Sequence, residues 1–261
     1  MDLGLKDKVF LVSASSKGLG AAIAEGLAAE GANLALCSRS QERIGEFARQ
    51  LADKYGVSVL PHQADVSRSA DTYALVQNTL KHFGRLDGLV CNAGGPRGGS
   101  FLELADSDWE AAFQTNVMSV VRLIRECHPY LRESKGKIVT VASTSAKVPI
   151  PGLVLSNVMR SGVLGLMKSL AEEFAADGIL LNTVCPGKIL TDRIRELNAF
   201  KAKSIGTSVA DVEKEAIREI PLGRYGKPQE FANFAVFLLS ERNTYVTGST
   251  FMVDGGMVKS L

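Results

Sequence analysis

The chain has 261 residues, 46% apolar and 22% charged, with 30 lysines and arginines against 28 aspartates and glutamates for a net charge of +2. This composition predicts an ordinary globular protein whose core needs no disulfide staples, and the lack of a basic block excludes a nucleic-acid footprint. No apolar run approaches the length of a membrane span and the first residues, MDLGLKDKVF, carry no leader pattern, so a cytoplasmic location is expected.

Lys8–Ser13 (KVFLVS) reads as a short buried strand. It runs directly into SASSKGLG, and Gly18–Glu30 (GLGAAIAEGLAAE) reads as a helix of small residues. A strand, a glycine turn and a helix make a phosphate cradle. Glycine lets the backbone approach a pyrophosphate, and the helix N-terminus offers free N–H groups at its positive end. Asn33–Cys37 is a second strand and Gln41–Lys54 a second helix, so a nucleotide-binding βαβ unit is complete by residue 38. Sites for the unphosphorylated dinucleotide usually place an acid at the end of the second strand, about 20 residues on. Here Ser38 and Arg39 hold that place, and Lys17 lies inside the glycine turn. A hydroxyl and two cations suit a 2′-phosphate, which an aspartate would repel. NADP(H) is therefore the expected cofactor.

The alternation continues with a strand over Val57–Leu60, its exit at Asp65-Val66, and a helix over Asp71–Phe83. Leu86–Cys91 is a fourth strand running into CNAGG, small residues where a backbone must lie close to something flat or charged. Asp106–Arg132 reads as one helix with Ser107 as its N-cap. Asn116 falls within its apolar periodicity, beside Phe113, Val117 and Val120, and a buried amide there is either a structural bond or a site residue. Lys137–Ala142 is a β-branched strand ending in the hydroxyls Ser143, Thr144 and Ser145. A loop holding Pro149, Pro151 and Gly152 then leads to a helix from near Leu155 through Ala176. On it Ser156 and Arg160 stand four apart and so share a face.

Ile179–Val184 is a sixth strand, ending in CPGKI. The charged, strand-free stretch Thr191–Glu219 has a helical pattern and suits a mobile lid on the carboxyl edge of the sheet. Pro228–Ser240 and Ser249–Val253 supply a last helix and strand. Strands alternating with helices predict a single α/β domain over 1–261, a doubly wound parallel sheet with helices on both faces. The four cysteines (Cys37, Cys91, Cys127, Cys185) lie far apart without a CxxC, and the three histidines are scattered. Free buried thiols are expected, and no metal site.

Taken in order, these motifs resemble those of the short-chain dehydrogenase/reductase family along essentially the whole chain, and especially its 3-oxoacyl-carrier-protein reductase branch. The matching residues are SASSKGLG at 13–20, Asp65-Val66, CNAGG at 91–95, Asn116, IVTVAS ending at Ser143, PG at 186–187, and PLGRYGKPQEFA…FLLS…YVTGSTFMVDGG near the end. The resemblance implies a Rossmann fold, a homotetramer to whose contacts the last helix and strand contribute, and hydride transfer between NADP(H) and a carbonyl or alcohol carbon. It implies cofactor contacts from Ser13, Ser15, Ser16, Lys17, Gly18, Leu19 and Gly20 of the turn, and from Ser38 and Arg39. Further contacts fall to Asp65, Val66, Asn92, Ala93, Gly94, Pro186, Gly187 and Ile189. In the family a serine matching Ser143 bonds the carbonyl oxygen, and an asparagine matching Asn116 anchors a water in the proton relay.

Two family residues are replaced. The tyrosine thirteen residues past that serine is here Ser156, and the lysine four beyond is Arg160; no other Tyr-x-x-x-Lys occurs in the chain. Serine is short and a far weaker acid than a phenol of pKa ~10. Arginine keeps its charge and can fork onto ribose hydroxyls, which keeps Arg160 among the cofactor contacts. The expected chemistry has Ser143 and Arg160 polarising the carbonyl while a water held by Ser156 gives the proton. A catalytically weak or inactive NADP(H)-binding sensor or partner protein is the competing expectation, and elimination or epimerisation on a bound cofactor a third. Ser13-Ala14 also replaces the family's Thr-Gly; alanine is comfortable only at negative φ, so the turn is expected to differ slightly or to be compatible already. Arg97, Lys147 and Lys188 come from segments bordering the nicotinamide pocket and favour an anionic substrate or a thioester.

Overall fold

A computed structural model describes residues 2–260. Seven strands, β1 (Val9–Val12), β2 (Asn33–Ser38), β3 (Val59–Gln63), β4 (Gly88–Cys91), β5 (Lys137–Val141), β6 (Leu180–Pro186) and β7 (Thr250–Val253), form one parallel sheet in the order β3-β2-β1-β4-β5-β6-β7. The chain winds outward from β1 to β3, then returns to the far side of β1 with β4. That reversal opens a crevice at the carboxyl ends of β1 and β4, where ligands bind in such sheets.

The helices between them are α1 (Gly18–Ala29), α2 (Gln41–Tyr55), α3 (Ser69–Phe83), α4 (Asp106–Phe113), α5 (Ser119–Ser134), α6 (Val154–Glu173), α7 (Asp192–Ile205), α8 (Val209–Arg218) and α9 (Pro228–Leu239). Because helices cover both faces, the inner strands are buried along nearly their whole length instead of alternating; β1 is wholly apolar, while β5 and β6 also bury Lys137, Thr140, Asn182 and Thr183. Phe10 and Val12 of β1 pack toward α1, α2 and α9, whereas Val9 and Leu11 pack toward α3, α5 and α6. β2 divides in the same way, Leu34 and Leu36 to one face, Ala35 and Cys37 to the other.

Three boundaries depart from the sequence reading. β3 runs through Pro61, which an edge strand tolerates because one side of its ladder has no neighbour. The helix expected over Asp106–Arg132 is interrupted by a π-turn at Gln114–Met118. Its first turn is capped from within, Asp108 accepting the Ala105 N–H at 3.1 Å, so Ser107 is not the N-cap.

β1 and β4 can lie this close partly because Gly88 faces Phe10. A Cβ on Gly88 would sit 2.4 Å from the Phe10 ring, and Phe10 is 1% exposed with nowhere to move. Gly88→Ala is expected to lower the unfolding free energy by about 1–3 kcal/mol, with part of the loss recovered by adding Phe10→Leu. Urea unfolding of the two variants checks this; equal stability of Gly88→Ala and wild type would contradict it.

Candidate active site

One face of α6 is fastened to the end of β5 and the loop that follows. Arg160 Nη1 donates to the carbonyl of Val141 at 2.9 Å, and the Ser156 and Ser145 hydroxyls share a hydrogen bond of 2.9 Å. Asn157 takes both backbone groups of Ile150, its Oδ1 accepting the N–H at 3.1 Å and its Nδ2 donating to the carbonyl at 3.2 Å. Ser161 Oγ donates within the helix to the Asn157 carbonyl at 2.8 Å, with the Ala146 carbonyl of the loop a weaker second partner at 3.2 Å. Positions 156, 157 and 160 lie along one side of a helix, so three side chains clamp one loop. Within that loop Ser143 is extended and its Oγ accepts the Ser145 N–H at 3.1 Å, which starts a short 3₁₀ turn over Thr144–Ala146.

Arg160 is only 5% exposed, and its one hydrogen bond among the described residues goes to a backbone carbonyl. Burying a cation without an anionic partner is unfavourable, and burial pushes this guanidinium down to about 10. It still carries its charge at neutral pH. Its nitrogens not bonded to Val141 keep some accessible surface. The neighbouring Cys185 thiol is pushed up to about 11 by burial and stays neutral.

Asn116 sits in the π-turn and is fully buried. Its Nδ2 donates to the Ala112 carbonyl at 3.1 Å, while its Oδ1 has no partner. The sequence left a structural bond and a site residue as alternatives; the Nδ2 bond is structural, and the Oδ1 is a sealed, unmet acceptor. An unmet buried acceptor costs about 1–3 kcal/mol, and π-turns of this kind occur mostly where function needs them.

The glycine turn has an outer and an inner side. Ser13 and Ser15 are fully buried. Ser13 Oγ donates to the Asn92 carbonyl at 2.7 Å and accepts the Asn92 N–H at 2.9 Å, and Ser15 Oγ accepts the Cys37 N–H at 3.2 Å. These hydroxyls brace the turn from behind and do not face the crevice, contrary to the expectation for them. Ser16, Lys17, Gly18 and Leu19 remain accessible, and no side chain from Lys17 caps the first N–H groups of α1. A Cβ on Gly20 would lie 2.6 Å from both the Ala14 carbonyl oxygen and Asn92 Nδ2. Ala14 itself has φ +47. The turn thus keeps the left-handed conformation of a glycine, held there by Asn92 Nδ2 on the Ala14 carbonyl (3.0 Å) and the Ser15 N–H on Cys37 (2.9 Å).

At the end of β2 the Ser38 hydroxyl donates to the Ser40 carbonyl at 2.9 Å, so its proton is held in its own turn, while Arg39 and Lys17 are exposed. Asp65 Oδ1 accepts from both the N–H and the hydroxyl of Ser67. Burial works against its charge, but those bonds together with Arg39 and Arg68 outweigh it and lower the pKa. Val66 is buried beside it, and Gly94, next to Ala93, opens onto free space. β6 ends at Pro186; at Gly187 a Cβ would lie 2.5 Å from that of Asp254, and Ile189 is buried.

The stretch expected as a lid forms α7 and α8. Arg193 Nη2 donates to the Pro96 carbonyl at 3.2 Å, and Thr191 lies 3.8 Å from where a Gly18 Cβ would be. Two of the three cations expected to draw an anionic substrate are already neutralised. Arg97 pairs with Asp108 at 2.8 Å and Lys188 with Glu219, which leaves exposed Lys147. No cluster of three metal-ligating side chains occurs among the described residues, and no helix there is long and apolar enough to cross a membrane.

Residues 13–258 match the family model described as enoyl-(acyl carrier protein) reductase. The chain belongs to the short-chain dehydrogenase/reductase family. It is 33% identical to the 3-oxoacyl-[acyl-carrier-protein] reductase FabG of Staphylococcus aureus over 96% of this chain and 98% of that protein. Among solved structures, L-sorbose reductase from Gluconobacter frateurii complexed with NADPH and L-sorbose shares 38% identity over the whole of both chains, with a TM-score of 0.96. An NADPH-bound short-chain oxidoreductase from Pseudomonas aeruginosa PAO1, described as containing an atypical catalytic center, is 32% identical with a TM-score of 0.89 over 98% of this chain and 100% of that one.

As a member of this family the chain also shows what sequence reasoning passed over. Ser145 was visible only as one of three hydroxyls after a strand, and its bond to Ser156 needs the loop to fold back on α6. Asn157 and Arg193 gave no signal, since an amide and an arginine on helices usually face solvent.

The Ala14 conformation generates a prediction. A left-handed residue with a Cβ is unfavourable by about 1–2 kcal/mol, against about 0.4–1 kcal/mol for the added freedom glycine brings to the unfolded chain. Ala14→Gly is therefore expected to raise stability by up to about 1 kcal/mol without loss of any side-chain contact; a lower urea midpoint would argue for a different turn.

Proposed function

We propose that this protein is an NADP(H)-dependent reductase of a ketone carbonyl, a 3-oxoacyl thioester or a related ketone. Residues 1–261 form one catalytic domain, 191–219 act as its substrate lid, and the working unit is a homotetramer. The observation that carries the reading is the arrangement at the carboxyl end of β5. Ser143 accepts a backbone N–H and so keeps its own proton free to donate, and Arg160 holds a buried charge on the same strand end.

The cradle fits a dinucleotide. The uncapped start of α1, the packed Gly20 and the exposed cations Lys17 and Arg39 suit a pyrophosphate and a 2′-phosphate. The bound nicotinamide supplies the hydride. Ser143 Oγ–H and the free N–H groups of Arg160 receive the charge that builds on the carbonyl oxygen. Ser156, too short to reach where a phenol would, holds a water that passes the proton on. Electrostatic stabilisation and positioning outweigh one acid–base contribution of about 10² to 10⁴-fold, so turnover survives without a tyrosine. The reductases FabG and L-sorbose reductase support the class of reaction and bracket the substrate between a thioester and a polar ketone.

An NADPH-oxidation screen over 3-oxoacyl thioesters, quinones, sugar ketones and small ketones tests this. Ser143→Ala is expected to lose at least about 10²-fold in kcat, while Ser156→Ala retains measurable turnover; negligible effects of both would sink the mechanism. NADPH binding with no turnover across the panel would favour a sensor or partner protein instead. The double variant Ser156→Tyr, Arg160→Lys is expected to lose activity, because it removes both the bond to Ser145 and the guanidinium that Val141 holds.

The cofactor choice has a separate test. Arg39→Asp is expected to weaken NADPH binding at least about tenfold while NADH binding holds or improves, read by fluorescence titration. Equal weakening of both would mean that Arg39 does not read the 2′-phosphate.

A further inference from the structure

We infer that Ser145 is a positioning residue that sets both Ser156 and Ser143 as donors toward the crevice; this rests on the reductase reading above. Ser145 is 1% exposed and Ser156 8%. The 2.9 Å contact between their hydroxyls is the one hydrogen bond that either side chain makes among the described residues. Two hydroxyls carry two protons, and one bond between them uses one. If Ser156 donated, the remaining proton would sit on the sealed Ser145 with no acceptor, at a cost of about 1–3 kcal/mol. If Ser145 donates, the remaining proton is on Ser156, the less buried of the two.

The second arrangement is the satisfied one. It makes Ser156 a donor whose oxygen is already polarised by the bond it accepts, which strengthens what it donates. Ser145 acts on Ser143 at the same time, through its backbone. Its N–H occupies an acceptor site on Ser143 Oγ at 3.1 Å, leaving the Ser143 proton uncommitted. One residue of the loop after β5 thus orients a donor on the strand end and a donor on α6. Only the second link depends on its side chain, which separates the two by mutation.

A double-mutant cycle in the full-length chain, assayed with NADPH and whichever carbonyl it reduces, tests the inference. Ser145→Ala is expected to lower kcat about tenfold, with NADPH affinity and Tm close to wild type. Little further loss is expected when Ser145→Ala is combined with Ser156→Ala, because Ser145 acts through Ser156. Ser145→Thr, which keeps the hydroxyl, should recover most of the rate. Wild-type kcat in Ser145→Ala, losses that multiply in the double variant, or a fall in kcat matched by falls in Tm and NADPH affinity would each overturn the inference while leaving the reductase reading intact. A wild-type chain that binds NADPH and reduces nothing would overturn both.

Discussion

The hydrogen bond from Arg160 to the Val141 carbonyl is the constraint on which the rest of the site depends. β5 is a central strand whose last carbonyl would otherwise point into the crevice unmet, and α6 arrives over it carrying a charge that would otherwise be buried without any partner. Each group answers the other's need. Once that contact fixes how α6 sits, Ser156 and Asn157 come within reach of the loop and hold it through three more hydrogen bonds. The loop is proline-rich and short of regular structure, so it owes its shape to α6. Ser143 is placed by the strand on one side and by Ser145 on the other.

A carbonyl is a weak partner for a guanidinium, which explains why the contact leaves Arg160 incompletely satisfied. An arginine with a carboxylate beside it would be electrostatically quiet. This one retains unanswered charge, which under the proposed reading would face the oxygen of a carbonyl being reduced. A lysine could present the same charge as a point, but it could not fork between a fixed carbonyl and a second acceptor with its geometry preserved. The planar group keeps one nitrogen on the scaffold, with its remaining N–H donors uncommitted among the described residues.

Much of this was legible in the sequence, and the reasons are local. The inner strands are largely apolar because both faces are covered, so β1, β2, β5 and β6 stood out as runs. The cradle showed itself through a glycine pattern between a strand and a helix. Ser156 and Arg160 could be placed on one face from helical spacing alone. What escaped depends on partners far along the chain. Arg97 looked free because Asp108 lies on a helix that turns back toward it, and Lys188 because Glu219 sits beyond a helical hairpin. The inward turn of Ser13 and Ser15 depends on strands that pair across distant segments. The π-turn left no composition signal beyond an asparagine among apolar neighbours. Ala14 misled because residue preference was read where tertiary bonds decide.

The departures from local comfort are not spread evenly. Ala14 in a left-handed conformation, Asn116 with an unmet carbonyl, and Arg160 with an unbalanced charge come from three different segments: the turn after β1, the helix after β4 and the helix after β5. Each is unfavourable by an amount that would be noticed in a domain whose net stability is only about 5–15 kcal/mol. All three flank the carboxyl edge of the sheet near its point of reversal, while the strands behind them pack without comparable strain. Thr183 Oγ1, unpartnered in mid-sheet, is an exception that nothing in the structure explains, and Asp7 and Lys135 are also left-handed (φ +62 and +51), just before β1 and β5 at the opposite edge. Strain of this kind persists when the surrounding fold over-determines it. Here the over-determination has a source, the paired cores on the two faces of the sheet, which hold the strained turn, the unmet amide oxygen and the buried guanidinium in place.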